Sequence, residues 1–176
     1  ESVTAETNGD TALAMEKLMV YAKNGGDPYL ANLRAGWLNY SEKKYDDAGR
    51  YYGTAAKLQT NSLNPRLGLL NVYQAKGDVA NATAAADAVL KIESTNYRAL
   101  MAYAWGCFQA KDHRRAGTAY QRVLLMYPED QDAISGAAWC SLYIGQKREA
   151  IDGFRRLMSL NPEYANLRQG LEMATK

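Results

Sequence analysis

Charge of one sign, histidine, cysteine and long apolar runs are all scarce in this chain, and each scarcity removes a class of function. Twenty-one basic against nineteen acidic side chains leave a net charge of +2 over 176 residues. That is too near balance to draw the chain toward nucleic acid or an anionic membrane from a distance, and no nucleic-acid partner is expected. No apolar run approaches the roughly 20 residues of a membrane-spanning helix, so no direct membrane insertion is expected. Two cysteines, Cys107 and Cys140, make no disulfide framework. Both stand among apolar residues and read as small buried hydrophobes.

Catalytic groupings are missing too. The single histidine, His113, lies in Lys111-Asp112-His113-Arg114-Arg115. Cationic neighbours suit neither a general base nor a metal ligand, and His113 reads as a solvated turn residue. No nucleophile has an activating partner nearby. Cys107, His113 and Cys140 are too scattered for a metal site. The acidic pairs Asp46-Asp47 and Glu129-Asp130 fall near helix starts, where they complement the helix dipole. Lys43-Lys44, Arg114-Arg115 and Lys147-Arg148 fall at turns and read as solvated. No enzyme activity, cofactor, catalytic residue or metal is expected.

What the chain does have is a period. Ala14, Ala48, Ala82, Ala116 and Ala150 are spaced 34 residues apart, and four residues after them come Leu18, Tyr52, Ala86, Tyr120 and Phe154. Pro128 and Pro162 follow the last two alanines by twelve. Period 34 with Ala-x3-aromatic and a later proline is the tetratricopeptide signature, and over residues 9–176 the chain resembles the tetratricopeptide repeat superfamily. The first helices depart from the usual pattern: Asn32, Arg66, Leu100 and Ile134 occupy the column of the early tryptophan. The resemblance implies an all-α, right-handed superhelical solenoid of helix-turn-helix repeats.

Apolar residues recurring at three and four give two amphipathic helices per repeat. Gly77-Asp78 and Gly145-Gln146 mark turns inside repeats. Asp27-Pro28 and Asn64-Pro65 read as a cap followed by proline at the first helical position. A small side chain in the alanine column lets two helix backbones approach closely. The register gives a single solenoid: a half repeat at 9–28, repeats at 29–62, 63–96, 97–130 and 131–164, and a half repeat or cap helix at 165–176. Residues 1–8 are expected to be disordered. The chain opens on Glu1, as a processed product or a piece of a longer array would.

All three tryptophans share one column. Trp37, Trp105 and Trp139 each follow a small residue of a first helix, with Asn71 in the remaining place. The resemblance places this column on a concave groove. Leu33, Leu67 and Met101 stand four residues before it, and Tyr40, Gln74, Phe108 and Leu142 three after. With Leu30, Asn64 and Arg98 they complete the expected partner-binding set. Where tetratricopeptide co-chaperones grip a carboxylate with lysines, these columns hold Leu33 with Trp37 and Met101 with Trp105, which argues against a chaperone-tail clamp. The expected function is a protein–protein interaction scaffold that binds a peptide or protein segment, within a multiprotein assembly. Two alternatives stay open: a saccharide-binding module of a bacterial envelope system, and weak self-association through the end helices. Leu33 to Tyr40 and Gly136 to Cys140 resemble bacterial envelope repeat proteins, which implies the periplasm or envelope, with the cytoplasm as the alternative.

Overall fold

The computed structural model describes residues 11–176. The segment 1–8, read above as disordered, lies outside the described residues. Ten α-helices and no strand occur among the described residues: α1 (Thr11–Lys23), α2 (Pro28–Ser41), α3 (Tyr45–Leu58), α4 (Asn64–Ala75), α5 (Val79–Leu90), α6 (Tyr97–Gln109), α7 (His113–Met126), α8 (Gln131–Tyr143), α9 (Lys147–Leu160) and α10 (Leu167–Thr175). The chain divides into two compact units between Ile92 and Glu93. The first contains α1 to α5 and the second α6 to α10. Within each unit consecutive helices pack together. In addition α2 touches α4, α6 touches α8 and α8 touches α10.

Helix starts follow the repeat period. Asp78 and Asp112, 34 residues apart, cap α5 and α7 by accepting from the amides of Asn81 and Arg115. Asn96 and Asp130 do the same for α6 and α8, accepting from Ala99 and Ala133 at 3.0 and 2.8 Å. Asp27 caps α2 through the Tyr29 amide, and Pro28 takes the first helical position. Asn64 departs from the sequence reading. It lies inside α4, whose cap position is Leu63 with no side-chain bond. The C-terminal helix also begins later than residue 165: a turn carries the chain through Asn166 in the left-handed conformation before α10 starts at Leu167.

The turns inside the repeats share one device. Lys43, Gly77, Lys111 and Gly145 stand 34 residues apart, and all four adopt positive φ, at 59°, 68°, 61° and 81°. Around each, one amide bonds back three residues and the next bonds back five: Lys111 to Phe108 and Asp112 to Cys107, for example, both at 2.9 Å. This is the Schellman closure, which satisfies the last helical carbonyls. Two of the four positions use lysine where glycine carries no steric penalty.

The alanine column is buried throughout, and so are Leu18, Tyr52, Ala86, Tyr120 and Phe154 four residues on. The rings of this second column require glycine opposite them. A β-carbon at Gly36 would fall 2.7 Å from the Tyr52 ring, and one at Gly68 would fall 2.6 Å from it. A β-carbon at Gly136 would lie 2.4 Å from Tyr120, and one at Gly170 would lie 2.4 Å from Phe154. Gly68, Gly136 and Gly170 each follow their ring by sixteen residues, on the first helix of the next repeat. Each ring therefore lies against the bare backbone of the following helix.

Two expected outcomes follow from these contacts. In Gly136→Ala the overpacking cost of about 1–3 kcal/mol exceeds the helix gain of about 0.5–1 kcal/mol, so the urea midpoint falls. In a Tyr120→Ala background the same change becomes neutral or stabilising, and a rise in the parent chain would contradict the contact. Lys111→Gly relieves a left-handed lysine and gains about 0.5–1 kcal/mol, whereas Gly145→Lys loses a similar amount. Thermal melts of the two variants check both signs.

Candidate functional site

The tryptophan column divides by burial. Trp37 and Trp105 are 43% and 52% exposed. Trp139 is half-buried and packs against the second unit's core of Ile134, Ala138, Phe154, Leu157 and Leu167. Its ring meets Phe154 edge-on at 5.2 Å. A ring stands fifteen residues beyond each tryptophan, Tyr52, Tyr120 and Phe154 in turn, so the sequence interval alone does not account for the difference.

In the second unit a cleft of about 710 Å³ opens between α6, α8 and α10. Met101, Trp105, Phe108 and Trp139 of the expected set line it, joined by Tyr143 and Met173. Trp105 stacks on Phe108 at 6.2 Å with the planes 9° apart, and Trp139 lies 5.9 Å from Tyr143. Leu142 packs instead against the core. Arg98 is exposed on the first turn of α6. In the first unit Leu33 and Tyr40 are half-buried against Ala48, Tyr52 and Val72. Leu67 and Asn71 are also half-buried, whereas Leu30, Asn64 and Gln74 are exposed. There the Arg34 guanidinium sits 5.0 Å from the centroid of the Trp37 ring, within cation–π range.

One side of the cleft is polar, and the sequence reading missed it. The Tyr164 hydroxyl donates to the Asp132 carboxylate, and buried Ser135 hydrogen-bonds the same hydroxyl. Burial, and then the Asp132 contact, push the Tyr164 phenol up to about 12, so it remains a donor at neutral pH. Asn166 and Gln169 complete this side. Tyr164 and Asp132 are 32 residues apart, and only the turn before α10 brings them together. Asn161-Pro162 opens that turn, but nothing in the pair points to a contact between Tyr164 and Asp132.

His113 is not the solvated turn residue the sequence suggested. It is the first residue of α7, stacked on Tyr143 at 4.6 Å and edge-on to Phe108 at 5.1 Å, with Nδ1 buried. It stands behind two rings of the cleft and supports them. The basic turn pairs 43–44, 114–115 and 147–148 are exposed. Cys107 and Cys140 are buried and unbridged, and burial raises the Cys140 thiol to about 12. Among the described residues no group of three or more His, Cys, Asp or Glu side chains could hold a metal ion. No helix among them is long and apolar enough to cross a membrane.

Solved structures with the same arrangement of helices settle the fold. YrrB, a tetratricopeptide repeat protein with an unusual peptide-binding site, superposes with a TM-score of 0.76 over 89% of this chain and 80% of its own, at 18% identity. The chain has the tetratricopeptide repeat fold. A tetratricopeptide repeat protein from Parabacteroides merdae matches 98% of this chain and 69% of its own, with a TM-score of 0.75 and 20% identity. MamA from Desulfovibrio magneticus matches 85% of each chain, with a TM-score of 0.72 and 19% identity. By sequence, the tetratricopeptide array is 28% identical over 123 residues to the CTR9 homolog of Arabidopsis thaliana. That stretch is 69% of this chain and 11% of the relative, so the array spans a small part of that protein's length. No protein-family model matches the chain.

The different burial of the two indoles of the second unit has a measurable consequence. Trp139→Ala is expected to cost about 2–4 kcal/mol by urea denaturation, because it empties a packed site. Trp105→Ala is expected to cost under about 1 kcal/mol, as for most surface substitutions. Equal losses would place both rings in the core.

Proposed function

We propose that this chain is a protein-interaction scaffold and that the cleft between α6, α8 and α10 binds a segment of the partner. The observation that carries the reading is Trp105. Half its surface is exposed at the edge of a cleft walled by Phe108, Trp139, Tyr143 and two methionines. An indole buries about 150–250 Å² when covered, so covering the free half of Trp105 is worth about 2–3 kcal/mol at 25 cal/mol per Å². Methionine and aromatic side chains also adapt to varied apolar partners. The cleft volume suits one or two anchoring side chains of an extended or helical peptide. A peptide-binding site in YrrB, which shares this fold, supports the same use here.

The test compares proteins retained from an extract of the native source by the immobilised chain and by two variants. Trp105→Ala is expected to weaken a specific partner at least tenfold, the usual effect of truncating an interface aromatic at about 2 kcal/mol. Leu125→Ala, at a residue 84% exposed and away from the cleft, is expected to leave retention unchanged. Retention indifferent to Trp105 but lost in Leu125→Ala would move the binding surface to α7.

A further inference from the structure

The first unit holds a built example of a cation on the tryptophan column. Arg34 lies over the Trp37 ring at 5.0 Å. Three residues before Trp105 and Trp139, where Arg34 precedes Trp37, stand Ala102 and Gly136. The second unit thus repeats the indole without the arginine that covers it in the first. The charge of its cleft points the same way. Among the described residues no lysine, arginine or histidine lines it, and Asp132 is the single carboxylate that does. Asp132 is exposed and accepts the Tyr164 hydroxyl. A carboxylate has about four acceptor positions, so that one bond leaves capacity for a charged donor.

We infer that the cleft takes a cationic side chain of its partner, arginine ahead of lysine, against its aromatic wall at Trp105, with the carboxylate of Asp132 as counter-charge in the same cleft and apolar neighbours on Phe108, Trp139 and Tyr143. The occupant is a peptide segment in which an arginine is flanked by apolar residues. Arginine fits better than lysine because its plane stacks on an indole and its fork reaches a carboxylate while stacked. An acidic segment would meet Asp132 with no cation to offset it. This inference rests on the cleft being the binding site proposed above, and deepens it.

The experiment selects phage-displayed random dodecapeptides on the whole chain and removes those that also bind Trp105→Ala, checked as folded by circular dichroism. The best peptides are then made with arginine or with neutral, isosteric citrulline, and their affinities are measured calorimetrically for the parent and for Asp132→Asn. The expected result is enrichment of arginine beside apolar residues. Citrulline then weakens binding at least about fivefold in the parent, and clearly less in Asp132→Asn, where the charge partner is gone. Trp105-dependent peptides that are purely apolar or acidic, or that bind equally well with citrulline, would overturn the cation and leave the cleft standing. A selection yielding no Trp105-dependent peptide would overturn the cleft as well.

Discussion

The contact between an aromatic ring and a bare helix backbone sets the spacing of everything else in each unit. Tyr52 lies against Gly36 of its own repeat and Gly68 of the next, so α2, α3 and α4 are locked around one ring. Tyr120 against Gly136 and Phe154 against Gly170 repeat the device in the second unit. A ring buried on glycine places the next first helix closer than any side chain on that helix would allow. In sequence the same interval of sixteen pairs Ala86 with Ala102, where no ring calls for a glycine. The position of α8 beneath Tyr120 is what presents Trp139 and Tyr143 to the cleft, and the position of α10 beneath Phe154 is what brings Gln169 and Met173 to its other side.

That dependence explains which features were legible in the sequence. The alanine column, its aromatic partner and the period of 34 follow from local patterning, and they led directly to a helical repeat fold. The glycine column was equally present at positions 68, 136 and 170. It passed unread because a glycine within a helix is commonly taken as a weak spot rather than as a seat for a ring. The tryptophan column was visible as a column, but its division into exposed Trp105 and half-buried Trp139 was not. The contact of Trp139 with Phe154 forms only once α8 and α9 pack, and the interval of fifteen that separates them also separates Trp105 from Tyr120. Likewise Asp132 and Tyr164 carry no joint signal in the sequence, since a turn with a left-handed Asn166 has to form before they meet. His113 was misread for a related reason. Its sequence neighbours are cations, but its spatial neighbours are Phe108 and Tyr143.

Stability and binding surface are drawn from the same rings in unequal shares. Trp139 meets Phe154 edge-on and Tyr143 near-parallel, and Tyr143 in turn stacks on His113. These contacts reach from the core cluster to the edge of the cleft, and they leave little freedom for the rings nearest the core. Trp105 is held mainly by Phe108. A wall that is fixed at its base and exposed at its edge loses little side-chain entropy on binding, and such preorganisation is what turns modest apolar area into affinity.

The comparison of Trp37 with Trp105 extends this to specificity. Both indoles occupy the same place in their repeats and are exposed to similar degrees, yet among the described residues only Trp37 has an arginine over its face. The change that distinguishes them is one residue, Arg34 against Ala102, in the same 34-residue column whose members Gly68, Gly136 and Gly170 seat a ring. A side chain stands in that column only where no ring precedes it by sixteen residues: Leu18 precedes Arg34 and Ala86 precedes Ala102. With no arginine of its own in that place and Asp132 supplied from α8, the second unit lines one cleft with an aromatic face and a counter-charge.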